Sequence, residues 1–284
     1  MTVCIAAICE NEKAVVIASD RMVTSHYWSI EFEHPTSNKI TPIACVPCVA
    51  LTAGDALAHT ELFGDVQSKL STMNISDMET VVETIKDSYQ KIRKKRIVEL
   101  YLAPRAFANF GEFYQAQRHI LHDLACLIQK QIDEHNYGLE ILIAGMSDNC
   151  AHIHFICNPG TSQCYDAINF NAIGSGSPHA ISTLIARDCH SGLSLAETIM
   201  VVFDAKRVAE KAPGVGRAID MAVISKGNIV QFKEEHIRHL DTEHKKYISG
   251  NKWNLNIITD GLSIDRTEVN EQVEEIRANG TEKK

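Results

Sequence analysis

Two apolar runs open the chain, residues 2–9 and 13–19, and only Glu10-Asn11-Glu12 separates them. A polar gap of that length is a hairpin turn, so the fold begins with two antiparallel strands. Val46 to Thr52 reads as another strand, and Ala53-Gly54-Asp55 ends it. From Asp55 the pattern turns helical, with Leu62, Val66 and Leu70 on one face. A second helix spans 77–92 behind Asp77 as N-cap, and a long one spans 112–135 with Phe113, Ala116, Ile120, Leu124, Leu127 and Ile132 at helical spacing. Four short strands follow, 139–145, 151–157, 163–166 and 169–173, until Gly174-Ser175-Gly176-Ser177 breaks the run. Helices then reach about Arg187 and from Leu195 to Glu210, before a last hairpin, 218–225 and 228–232, turns at Lys226-Gly227.

The order is strands, helices, strands, helices, strands. Without strict βαβ alternation a doubly wound parallel sheet fits poorly. An α+β fold of two packed antiparallel sheets with helix pairs outside fits better. Residues 1–234 read as one domain, with a helical insertion around 93–111 that carries Pro104 and Gly111, and 235–284 as a polar C-terminal extension. Residues 24–38 read as a polar loop leading to Lys39-Ile40.

Composition narrows the function. The net charge of −8 over 284 residues removes the electrostatic footprint of a nucleic-acid binder. The basic cluster Arg93-Lys94-Lys95-Arg96 reads as a solvated helix end. No stretch approaches the ~20 apolar residues of a membrane span, and the N-terminus lacks the pattern of a signal peptide. The cytoplasm is the expected compartment, and the nine cysteines are expected as free thiols.

Thr2 is the candidate nucleophile. A small residue after Met1 lets the methionine be removed, and Thr2 would then carry a hydroxyl and a free α-amine on one framework. On position alone it reads as an ordinary first-strand residue, and the rest of the chain has to shift that reading. Other constellations carry less. Cys45-Val46-Pro47-Cys48 has redox spacing but leads into a strand, not a helix N-terminus. His152 and His154 share a strand face with no further ligands nearby, and His236, His239 and His244 fall in the polar extension, where solvation is expected. No metal and no cofactor are expected.

Six short motifs then agree in order: Met1-Thr2-Val3-Cys4-Ile5-Ala6, Ala18-Ser19-Asp20-Arg21, Lys39-Ile40 after a loop, Leu51-Thr52-Ala53-Gly54-Asp55-Ala56 entering a helix, Ala144-Gly145 closing a strand, and Ala172-Ile173-Gly174-Ser175-Gly176-Ser177 entering another helix. Over residues 2–232 the chain resembles the β-type subunits of the proteasome and their bacterial relatives among the N-terminal nucleophile hydrolases, most of all the Anbu type. The resemblance implies a four-layer αββα sandwich and a threonine hydrolase without cofactor. Thr2 would attack a carbonyl, with its own amine taking the proton. Lys39 would place a positive charge beside the pair, and Asp20 would hold Lys39. The Gly54 N–H would be the oxyanion donor, and Ser175 would hydrogen-bond around the amine. Thr52 and Ala56, flanking Gly54, would line the nearest substrate pocket. Taken singly, Asp20-Arg21 is also an ordinary strand-end pair, Gly54 a strand-to-helix turn, and Ser175 a helix N-cap.

The chain departs from the family pattern late in the sequence. Arg187-Asp188-Cys189-His190-Ser191-Gly192 imitates the Arg-Asp-x-x-Ser-Gly motif but comes one helix too early. The expected place, Lys211 to Gly216, keeps the glycine but has Ala212 and Val215 for the polar pair. The expected activity is therefore amide-bond cleavage in peptides through an acyl-enzyme on Thr2, in a homo-oligomeric ring or related multimer. The alternatives are a silent scaffold subunit and an amidase for a small non-peptide amide.

Overall fold

A computed structural model describes residues 2–25, 30–34, 39–43, 46–73 and 77–250. Met1, Cys45 and the extension beyond 250 lie outside them, as do parts of the loop 24–38. The opening hairpin forms as expected: β1 (Cys4–Cys9) pairs antiparallel with β2 (Ala14–Ser19), from Cys4↔Ser19 to Cys9↔Ala14. Its turn sets Glu10, Asn11 and Glu12 at φ of 54°, 53° and 70°. Three consecutive left-handed residues are costly. Bonds from outside the hairpin offset that cost: Glu10 N donates to Leu193 O (2.9 Å), Asn11 N to Ser191 O (2.7 Å), and Ala151 N to Glu12 O (2.7 Å).

Two five-stranded antiparallel sheets result. In the first the order is β10 (Phe170–Ile173), β1, β2, β11 (Asp220–Ser225), β12 (Asn228–Gln231). In the second it is β5 (Ile40–Ile43), β6 (Cys48–Gly54), β7 (Leu139–Ser147), β8 (Cys150–Cys157), β9 (Thr161–Cys164). A separate hairpin, β3 (Met22–Ser25) with β4 (Ile30–Glu33), replaces much of the expected loop.

Both faces of β1 and β2 are buried, and the two-residue strand period divides their side chains between two cores. Val3, Ile5, Ala7 and Cys9 pack with residues of α5 (Ser177–Ala186) and α6 (Leu195–Ala209). Cys4, Ala6 and Ile8 pack instead with Val49, Leu51, Leu142 and Ala144 of the second sheet. That sheet's other face, including Ala50, Ile141 and Ile143, packs with α1 (Ala56–Leu70) and α2 (Met78–Ile97). Asp55 and Asp77 cap these two helices, accepting from Leu57 N (2.8 Å) and Thr80 N (2.7 Å).

Two expectations about the helices need correcting. The helix read over 112–135 is two helices, α3 (Phe110–Ala116) and α4 (His122–Asp133). α2 runs on to Ile97 and ends in a wide turn, Val98–Leu102. Phe113, Ile128 and Ile132 fold back over Ile97 and Leu102 to make a fourth small core, which one straight helix could not cover. The basic cluster is an exposed helix end, as expected, but it is also paired. Lys95 and Arg96 pair with Glu61 of α1 at 3.0 and 2.6 Å, and Arg93 donates to Asn158 Oδ1 (3.0 Å) and His135 O (3.0 Å).

The start of the extension is not a solvated tail. α7 (Glu234–Ile248) buries Leu240, Glu243 and His244 against α6. His244 Nε2 lies 2.9 Å from Asp204 Oδ1, and Arg187 Nε lies 2.9 Å from Asp204 Oδ2. Asp204 is a buried carboxylate beside the apolar stretch Ile199–Phe203 of α6, and its partners come from neighbouring elements.

Candidate active site

Strand register carries Thr2 into the site. Extending the β1–β10 register by two steps sets Thr2 opposite Ser175, and extending β1–β2 by one sets Val3 opposite Asp20. Thr2 N donates to Ser175 Oγ at 3.1 Å, and Gly176 N donates to Thr2 O at 3.0 Å. Asp20 N donates to Val3 O (3.2 Å), while Val3 N returns a bond to Asp20 Oδ1 (3.2 Å). Gly174 has φ +87°, and a Cβ there would lie 2.4 Å from Thr2 O. Only glycine lets the two backbones approach this closely.

Asp20 is fully buried and saturated. Oδ1 accepts from Lys39 Nζ at 2.6 Å as well as from Val3 N, and Oδ2 accepts from Gly216 N at 2.8 Å. Lys39 Nζ also donates to Thr2 Oγ1. Arg21, adjacent in sequence, points elsewhere, to a forked pair with Asp220 of β11 at 2.5–3.0 Å. The two residues of the strand-end pair therefore do separate jobs.

The Gly54 N–H is free of the β6–β7 ladder. Asp55 N donates to Gly138 O (3.1 Å), so Gly54 and Leu139 form a non-hydrogen-bonded pair. Its N–H points the same way as that of Thr52, which donates to Lys39 O (3.2 Å), but two residues further on, past the first residue of β5. A Cβ at Gly54 would meet Gly138 O at 2.0 Å.

A cavity of about 600 Å³ opens beside Thr2, with Ala53, Gly54, Glu140, Cys157 and Ser175 among its walls. Thr52 and Ala56 are not among its lining residues. Thr52 is buried and Ala56 sits exposed at the start of α1. Cys4, behind Thr2, is no rival nucleophile: burial pushes its thiol up to about 12, and it donates to Thr52 O.

The early motif 187–192 lies at the wrong end of the sheet, where Ser191 O receives Asn11 N from the β1–β2 turn. Ala212 and Val215 are buried, and a Cβ on Gly176 would come within 2.9 Å of a Val215 methyl. An apolar contact thus stands beside the Ser175 turn. Two contributors escaped sequence reasoning. Glu140 Oε2 accepts from Gly174 N at 2.9 Å. Lys206, wholly buried, donates to Gly216 O (2.7 Å) and Glu210 Oε1 (2.7 Å), and burial holds its ammonium below the usual lysine value. The detectable signal for Lys206 was a lysine on the core side of the apolar run 199–205.

Among the described residues no cluster of three or more metal-ligating side chains occurs. His152 is occupied by Asp166 at 2.7 Å. Among the described residues no helix is long and apolar enough to cross a membrane.

The mixed α+β fold with antiparallel sheets is compatible with a proteasome-like fold. Among solved structures it is similar to a Gly-1 mutant of Anbu from Hyphomicrobium sp. strain MC1, with a TM-score of 0.59, covering 88% of this chain and 96% of that one. Identity is 13%, so the likeness is one of fold alone. No protein-family model matches the sequence, and no curated protein does.

Proposed function

We propose that the chain is a proteasome-like N-terminal threonine hydrolase with the four-layer αββα arrangement, cleaving amide bonds in peptides from Thr2. The observation that carries this is the contact of Lys39 Nζ with Thr2 Oγ1, while Asp20 holds the same Lys39. Removal of the residue before Thr2 frees its amine, already placed at Ser175 Oγ. The Thr2 hydroxyl adds to the substrate carbonyl carbon, and its proton passes to the Thr2 amine, directly or through a water. The oxyanion forms facing the Gly54 N–H, a donor type worth about 10²–10³ in rate. Collapse breaks the C–N bond, the leaving amine takes the proton from the Thr2 ammonium, and an ester remains on Oγ1. Water then cleaves the ester, with the amine again as base. The homo-oligomeric ring and the cytoplasmic setting belong to the same reading.

A second reading, a silent scaffold, is favoured by Ala212 and Val215, which put methyl groups where the family pattern has a polar pair. An amidase for a small amide uses the same machinery. Intact mass before and after a β-lactone acylating agent separates them. One adduct on Thr2 that is lost in Thr2→Ala supports the hydrolase; retained Met1 or no adduct leaves the scaffold. An adduct without turnover of any peptide library favours the small amide.

A further inference from the structure

Glu140 is the one charged side chain among the described residues lining the cavity beside Thr2. It lies on β7, where Leu139, Ile141 and Ile143 face the helices and Leu142 and Ala144 face the first sheet. By the strand period Glu140 belongs to the inter-sheet face, otherwise apolar, and reaches the site at that layer's edge. Oε2 is satisfied by Gly174 N of the first sheet (2.9 Å), but among the described residues no donor meets Oε1 and no lysine or arginine pairs with the carboxylate. Arg93, which reaches Asn158 of this wall, donates to Asn158 Oδ1 and His135 O. The oxygens of Asn136 and Asn158 are likewise taken, by Gly138 N (2.8 Å) and by Tyr137 N (3.3 Å) and Arg93. The cavity therefore offers a partly buried negative charge with spare acceptor capacity, which a cation satisfies best.

We propose that this cavity takes a positively charged group of the substrate, an ammonium or guanidinium, and that Glu140 selects it. The assignment of that group to a substrate rests on the hydrolase reading. Gly174 links the two centres: its N–H holds Glu140 and its Cα packs on Thr2 O. A substrate carbonyl over Thr2 Oγ1 thus leaves its neighbouring residue beside the carboxylate, and an acidic residue there meets repulsion.

Cys157 lines the same cavity and gives a readout independent of turnover. The full-length protein is treated with methyl methanethiosulfonate, with arginine amide or the uncharged norleucine amide as probe, and modification of each cysteine is followed by mass spectrometry. Arginine amide is expected to slow Cys157 modification while exposed Cys150 and Cys164 react unchanged. Norleucine amide should not protect. Glu140→Gln, which keeps an oxygen for Gly174 N, should need roughly tenfold more arginine amide for equal protection, as for one lost charge-assisted bond. No protection by arginine amide, equal protection by norleucine amide, or full protection in Glu140→Gln overturns the proposal. Protection that persists in Thr2→Ala supports it whether or not Thr2 forms an adduct, so the two readings can fail separately.

Discussion

Lys39 Nζ lies 2.6 Å from Asp20 Oδ1, although Asp20 follows a strand of one sheet and Lys39 precedes a strand of the other. The pair ties the two sheets together at the edge where Thr2 emerges. Its side chains are 11% and 0% exposed. Removing one partner strands a desolvated charge, at about 3–5 kcal/mol. Asp20→Ala also takes the acceptor from Val3 N and Gly216 N, whereas Asp20→Asn keeps one oxygen. Urea unfolding should rank wild type above Asn and Asn above Ala. An alanine variant within about 0.5 kcal/mol of wild type would show the pair to be irrelevant to stability.

Gly174 and Gly227 offer a matched comparison. Both have positive φ, +87° and +73°, but a Cβ at Gly227 meets nothing within 4 Å. Gly227→Ala should cost only the left-handed penalty, about 1–2 kcal/mol. Gly174→Ala should cost more, because backbone Thr2 O must move, and it should also slow labelling of Thr2. Equal losses in denaturation, with labelling intact, would refute the close-approach argument.

Lys206 supports Asp20 at one remove, through Gly216, whose carbonyl it holds and whose N–H donates to Asp20. Lys206→Met leaves a buried carbonyl without that donor, a loss of about 1–3 kcal/mol. Because the N–H of the same glycine donates to Asp20, Thr2 labelling by a β-lactone should fall as well. The exposed Lys211→Met serves as control and should change neither quantity.

Burial, first among the causes, lowers His59, His135 and His154 below their ordinary value of 6.5. In the window between those lowered values and 6.5, the unfolded chain binds more protons than the folded one. Stability from these groups therefore rises with pH through that window and is lost on acidification. Unfolding free energies measured downward from pH 7 should fall, and His154→Gln should flatten the slope. A flat or inverted profile in the wild type contradicts the assignment.

Much of the strand framework was legible in the sequence. Runs such as 2–9, 13–19 and 139–145 signal their state by length and apolar content, and the short gap 10–12 leaves only a hairpin. The sequence reads 112–135 as one helix because Ala116, Ile120, Leu124 and Leu127 keep helical spacing across the break between Ala116 and His122, yet Leu124 and Leu127 stay half-exposed. The buried face is Ala125, Ile128 and Ile132. His244 reads as solvated from the sequence because nothing in α7 itself reveals that Asp204, forty residues earlier, awaits it.

The sequence by itself determined the local pieces: the opening hairpin, the capped helices, and the small residues at Gly54 and Gly174–Gly176 that allow close backbone approach. Only the tertiary structure decided which strand ends meet. Lys39 reaches Thr2, Glu140 reaches Gly174, and Lys206 reaches the Gly216 peptide across gaps no periodicity encodes. Those meetings follow from pairing register and from how the two sheets bury their shared apolar faces, a property of the whole packed chain rather than of any one segment.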